Sequence, residues 1–298
     1  MTAHSAARAH AVGSVTSRDG TTIGYRQFGE GPGIIAVHGG GQAAQNFTKL
    51  AEALADAFTV YVPDRRGRGR SGQYGEHYGL QSECEDLDAL LSKTGSHNVF
   101  GLSSGALISL QAALTLPAIH RVALYEPPLS INHSTPIGWL QRYDREIAEG
   151  KVGAAMVTAI KGTQTAPFFF RVVPRALVDR LLNAATRAGA TGRSESARDT
   201  AASNDDVSLR ALVPTMHYDA QLVIESEGSL ASFQGVKAEV LLLGGTRSAA
   251  YLKKALLGLE RVLPHARRVT LAGVGHLAAD NSGKPAVVAS ELRRFFSE

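Results

Sequence analysis

Gly101-Leu102-Ser103-Ser104-Gly105 lies between a short apolar run, Asn98-Val99-Phe100, and a helix-forming run, Ala106-Leu107-Ile108-Ser109-Leu110-Gln111-Ala112-Ala113-Leu114. A Gly-x-Ser-x-Gly string alone carries little weight. Between a strand and a helix it describes a sharp turn that lifts a serine clear of the sheet edge. The flanking glycines have a steric purpose, since a side chain at either position would collide with the neighbouring strand or helix. Ser103 is therefore the candidate nucleophile, and a tight turn packed under a helix is the competing reading.

The stretches around this turn repeat one rhythm. Val12 to Ser17 and Thr21 to Phe28 read as antiparallel strands joined at Arg18-Asp19-Gly20, where Asp-Gly marks a tight turn. Gly33-Ile34-Ile35-Ala36-Val37 is a buried strand running into His38-Gly39-Gly40-Gly41, and Phe47 to Phe58 has helical spacing. Thr59 to Pro63 is the next strand, Leu80 to Leu91 an amphipathic helix, and Arg121 to Tyr125 the strand after the Ser103 turn. Short apolar strands separated by helix-length segments predict an α/β fold, a mostly parallel doubly wound sheet covered on both faces. Ligand sites of that architecture lie beyond the carboxyl ends of the strands. The turns at His38, Asp64 and Gly101 are expected on one common side.

From about Ser130 to Thr215 the strand rhythm stops. Helices are expected over Trp139–Lys151, Ala154–Lys161 and Pro174–Ala188, followed by a polar stretch from Ser194 to Asp206. The core pattern resumes at Ala238–Leu243, with a helix over Ala249–Leu263, a strand over Arg268–Leu271 and a final helix over Pro285–Phe296. The division expected is a flexible arm over 1–11, a core over 12–129 and 216–298, and a helical cap over 130–215. Trp139, Phe168, Phe169, Phe170 and Met216 would give the cap an apolar wall over the site. The competing reading is that they form the cap's own core.

Composition bounds what such a fold does. A chain of 298 residues with 44% apolar content buries a full core and still carries an insertion. The one cysteine, Cys84, rules out an intramolecular disulfide and a thiolate-rich metal site, and fits a reducing cytoplasm. Acidic neighbours disfavour a thiolate at Cys84. The net charge of +4 is dispersed apart from Asp64-Arg65-Arg66-Gly67-Arg68-Gly69-Arg70-Ser71, and no helix or aromatic platform accompanies it, so nucleic acid is not an expected partner. No stretch approaches the roughly twenty apolar residues that cross a bilayer, and Met1 to His10 lack the apolar run of a secretory signal. A cytoplasmic monomer or homodimer is expected.

Four ordered features together resemble the α/β-hydrolase family over nearly the whole chain. They are a strand ending in His38-Gly39, the Asp64 to Ser71 turn, the Gly101 to Gly105 elbow, and Gly273-Val274-Gly275-His276 near the C-terminus. A serine hydroxyl needs a base to take its proton. The resemblance implies His276 for that role, with His38 supporting the neighbouring loop. It also implies an oxyanion hole made by the backbone N–H groups of Gly40 and Ser104, with Gly39 or Gly41 as alternatives if the register shifts. In most family members an aspartate follows the strand matching Val240 to Leu243, but this chain reads Gly244-Gly245-Thr246-Arg247-Ser248-Ala249, with Ser248 at the expected place. A serine cannot stabilise an imidazolium.

Glu126, directly after the Arg121–Tyr125 strand and before Pro127-Pro128, is the substitute that some lactone-opening members imply. Asp219, Asp280 and the absence of any acid remain alternatives, as does an ion pair holding Glu126 to Arg65 or Arg66. The resemblance implies cleavage of a small, largely hydrophobic ester, lactone or thioester through an acyl-enzyme, a chemistry that requires no metal or organic cofactor. Carbon–carbon bond hydrolysis, a non-hydrolytic biosynthetic catalyst and a small-molecule binding protein are the other readings the fold allows.

Overall fold

In the computed structural model, which describes residues 10–165 and 206–298, the apolar runs form one eight-stranded sheet. The strands are β1 (Ala11–Thr16), β2 (Thr22–Phe28), β3 (Gly33–Val37), β4 (Thr59–Pro63), β5 (Asn98–Leu102), β6 (Arg121–Tyr125), β7 (Glu239–Gly245) and β8 (Ala266–Leu271). Their order is β1-β2-β4-β3-β5-β6-β7-β8, with β2 antiparallel to both of its neighbours, β1 and β4, and all other pairs parallel.

Side chains alternate between two cores, because successive residues of a strand point to opposite faces. Ile35, Val99, Val122, Leu124 and Leu242 pack with helices α2 (Leu80–Thr94) and α3 (Ser104–Thr115) on one face. Ile34, Phe100, Ala123 and Leu241 pack on the other with helix α1 (Thr48–Leu54) and the C-terminal helix Pro285–Ser297. Cys84 is buried in the first core, and burial followed by the nearby Glu83 charge pushes its thiol up to about 12, which leaves it inert.

Inserted helices follow β6 and precede β7. Among the described residues they are α4 (Leu140–Ala148), α5 (Val152–Gly162), the short α6 (Leu209–Leu212) and α7 (Met216–Glu225). Tyr143, Ala155, Ala159 and Val213 form a small core of their own, to which Trp139 and Met216 are packed. Helix α7, which the sequence pattern did not disclose, belongs to both layers: Met216 joins the cap cluster while Leu222 and Val223 join the sheet core. The return of the cap is fastened to the core by Arg26 on Asp206 at 2.6 Å, and by Gln45, whose side chain both donates to and accepts from the Val207 backbone. Glu225 Oε2 accepts the Leu80 N–H at 2.9 Å and so caps α2.

Some expected boundaries shift for local reasons. Within the Phe47–Phe58 stretch only helix α1 over Thr48–Leu54 is α-helical, preceded by a 3-10 turn over Ala44–Phe47, and it ends early because the chain must leave the helix to begin β4 at Thr59. Helix α4 ends before Glu149 and Gly150, where Gly150 takes the left-handed conformation that stops a helix. The expected helix Pro174–Ala188, nearly all of the polar stretch to Asp206 and most of the N-terminal arm lie outside the described residues. Among the described residues no helix is long and apolar enough to cross a membrane.

Candidate active site

Sheet register assembles the site. Leu102 pairs with Tyr125 and Tyr125 with Leu243, so Ser103, Glu126 and Gly244 stand in one row at the carboxyl edge of β5, β6 and β7. Ser103 has φ 57° and ψ −123°, a strained backbone for a residue with a side chain, held by its N–H on the Tyr125 carbonyl at 2.9 Å. The elbow glycines behave as expected: a Cβ at Gly105 would lie 2.3 Å from the Val37 carbonyl oxygen, and one at Gly101 would lie 2.4 Å from that of Gly105.

Glu126 also occupies the left-handed region, with φ 50°. Its side chain is fully buried and both oxygens are used: Oε1 accepts the Gly245 N–H at 2.7 Å, and Oε2 accepts from His276 Nδ1 at 2.8 Å. A Cβ on Gly244 would sit 2.5 Å from Leu256 Cδ1 and 3.2 Å from Glu126 Oε1, so this glycine leaves room for both side chains. The loop that carries His276 is pinned by Tyr125, whose hydroxyl donates to the Gly275 carbonyl at 2.8 Å. With Nδ1 donating to Glu126, Nε2 is left as the basic nitrogen. Ser248 lies close by with its buried hydroxyl unpartnered.

The His38 loop is equally constrained. His38 Nδ1 donates to the Gly39 carbonyl at 2.9 Å while Nε2 accepts the Arg65 N–H at 3.3 Å, which fixes a neutral imidazole. The Gly39 N–H is taken up by Gln42 Oε1 at 2.8 Å, and Gln42 is oriented by donating to Asp280 Oδ2 at 2.8 Å. Asp280, an alternative acid on sequence grounds, thus serves this loop and also receives Asn46 at 2.9 Å. The Gly39 N–H is thus held within the loop, and Gly40 lines the cavity together with Ser104.

Burial, reinforced by the Arg68 and Arg65 charges, drives the His38 imidazole well below its ordinary range. A group with a depressed folded pKa contributes stability above its unfolded pKa and loses it as pH falls. Between pH 7.5 and 5.5 the parent is therefore expected to lose about 1.4 kcal/mol more than His38→Asn, from an unfolded histidine pKa of about 6.5. Urea denaturation of both proteins at the two pH values measures this, and equal losses would show that His38 protonates in the folded state.

The charged turn goes elsewhere than Glu126. Arg65 pairs with Glu83 at 2.8 Å and Asp219 at 2.7 Å, and Arg66 with Asp86 at 2.7 Å and with Asp19. Neither arginine binds Glu126, which corrects the ion pair considered from sequence. Asp219, the other alternative acid, also receives Arg68 at 2.6 Å and the Ser104 hydroxyl at 2.8 Å. Burial alone would raise its carboxyl, but the Arg68 and Arg65 charges hold it well below the usual carboxylate range. Asp64 is structural, accepting the Ala44 and Arg70 N–H groups at 2.8 and 3.1 Å.

One cavity joins these parts. Gly39, Gly40, Ser103, Ser104 and His276 line it from the core, and Trp139, Met216 and Asp219 line it from the inserted helices. Gly41 is not among the lining residues and sits under Met216, to which a Cβ would approach within 3.3 Å. Phe168, Phe169 and Phe170 lie outside the described residues.

The family model described as "Alpha/beta hydrolase family" matches residues 34–291, a span that contains the whole row and the cap helices. The chain belongs to the alpha/beta hydrolase family. This family member is 39% identical over 115 residues to "Uncharacterized hydrolase YraK" of Bacillus subtilis, a match covering 37% of the chain and 42% of that protein. It thus spans under half the length of that curated relative. An alpha/beta hydrolase from Sphaerobacter thermophilus superposes with TM-score 0.73 at 31% identity, over 95% of this chain and all of that one. The enol-lactonase from Burkholderia xenovorans superposes with TM-score 0.68 over 96% of this chain and all of that one, and at 21% identity the likeness is one of fold. The family and these neighbours are hydrolytic enzymes.

Proposed function

We propose that this protein is a serine hydrolase that cleaves a carboxylic ester or lactone of a small, largely hydrophobic substrate. The observation that carries the reading is the 2.8 Å hydrogen bond from His276 to a fully buried Glu126, at a cavity that Ser103 also lines. Ser103 Oγ attacks the carbonyl carbon as His276 Nε2 takes its proton, and Glu126 stabilises the imidazolium by accepting Nδ1–H. The oxygen that becomes negative receives the N–H groups of Gly40 and Ser104. His276 then protonates the leaving oxygen. In the second half it deprotonates a water that attacks the acyl group and frees the acid.

Leu102, Ile137, Trp139 and Val223 supply apolar wall to the cavity, in keeping with a hydrophobic substrate. The lactone branch of the reading rests on the fold shared with the enol-lactonase and on the same carbonyl chemistry. A panel of chromogenic acyl esters and aromatic lactones, run together with fluorophosphonate labelling, tests the proposal. Turnover of at least one neutral ester is expected, with label on Ser103 found by peptide mass spectrometry. A parent that is inactive on the panel and unlabelled would overturn it in favour of a binding protein.

A further inference from the structure

Asp219 is the one carboxylate among the described residues lining the cavity, and no lysine or arginine lines it there. It stands against the Gly40 turn: a Cβ on Gly40 would lie 3.0 Å from Asp219 Cγ and 3.1 Å from Oδ2. Oδ1 is filled by Arg65 Nη1 at 2.7 Å and Ser104 Oγ at 2.8 Å. Oδ2 accepts from Arg68 Nη2 at 2.6 Å and keeps a second acceptor position. The guanidinium groups of Arg65 and Arg68 are buried and do not line the cavity, so of this cluster only the carboxylate meets a bound acyl group directly. Arg65, Arg68, Glu83 and Asp219 sum to no net charge, and the member nearest the substrate is the negative one.

Resting on the reading of this cavity as an acyl site, we infer that Asp219 is a specificity-determining residue. It admits acyl chains ending in an uncharged or cationic hydrogen-bond donor and excludes chains ending in a carboxylate. Selectivity of this kind comes from the repulsive element as much as from the attractive one, and beside a buried carboxylate such as Asp219 a like charge is weakly screened. If Asp219 is made neutral, Arg68, whose Nη1 is already buried without a partner, is left as uncompensated positive charge.

Three 4-nitrophenyl esters of matched chain length test this: those of 5-carbamoylpentanoic acid, 6-aminohexanoic acid in its ammonium form, and adipic acid as the free carboxylate. The parent is expected to turn over the carboxamide and ammonium esters with kcat/KM within about 10-fold of each other, and the carboxylate ester about 100-fold or more below both. Asp219→Asn is expected to shrink that gap below about 10-fold or invert it. Rejection of both ionic esters alike would mean that desolvation alone sets the order, and would overturn the inference. So would a carboxylate ester turned over as well as the amide, or an Asp219→Asn protein that folds and keeps the parent's ratio. Calorimetric binding of the same three esters to Ser103→Ala separates this from the catalytic reading. Without turnover in the parent the hydrolase reading fails, while the binding order still decides the role of Asp219, and equal or absent binding of all three counts against it.

Discussion

Replacing Glu126 with glutamine is expected to lower kcat by about 10³- to 10⁴-fold while leaving the fold intact, the scale found when a triad acid becomes its amide. The carboxylate performs two tasks with two acceptor oxygens, one for the Gly245 N–H and one for His276 Nδ1. An amide has a single oxygen. If it stays on Gly245, the NH₂ group faces Nδ1, and the imidazole must carry its proton on Nε2, where the Ser103 proton has to go. If it turns to His276, a buried donor is set against the Gly245 N–H. Steady-state kinetics with circular dichroism as the folding control measures the effect, and imidazole ¹⁵N shifts report the change of tautomer. Turnover within a few-fold of the parent would remove Glu126 from the triad.

The second large effect separates activity from stability at one residue. Ser103→Ala and Ser103→Gly are both expected to lose about 10⁵- to 10⁶-fold in kcat, the range for removal of a serine nucleophile. They should differ in stability. At φ 57° and ψ −123° the elbow backbone is unfavourable for any residue with a Cβ, at a cost of about 1–3 kcal/mol. Alanine keeps that strain, whereas glycine releases it and gives back part of the gain through greater freedom of the unfolded chain. Ser103→Gly is therefore expected to exceed Ser103→Ala by about 1 kcal/mol in urea denaturation at pH 7.5. Glycine less stable than alanine would mean that the elbow backbone is relaxed.

How much of this was legible in the sequence depends on the range of the interactions. The strand rhythm, the elbow and the two cores follow from local alternation and turn chemistry. The row of Ser103, Glu126 and Gly244 follows once the strands pair in order. Glu126 stood out because the place after β7 held Ser248 and because Glu126 itself ends a strand. Helix α7 escaped because Met216-His217-Tyr218-Asp219 breaks the apolar periodicity, and its buried acid makes sense only beside Arg65 and Arg68, far away in the chain. An available signal was the surplus of arginines in Asp64–Ser71, which needed acidic partners. The Gln42 link between Asp280 and the Gly39 N–H was likewise invisible, since it joins opposite ends of the chain through one side-chain amide.

The turn after β7 reaches Glu126 through the N–H of Gly245, a group that every amino acid but proline possesses. A contact made by main chain survives changes of side chain, so drift at Thr246, Arg247 and Ser248 does not erode the support of the acid. An acid carried by that turn would instead have tied those positions to catalysis. Descendants of this chain are thus free to vary the turn under other selective pressures, while the demand for invariance concentrates on Glu126 and on Gly244, whose missing side chain leaves room beside it.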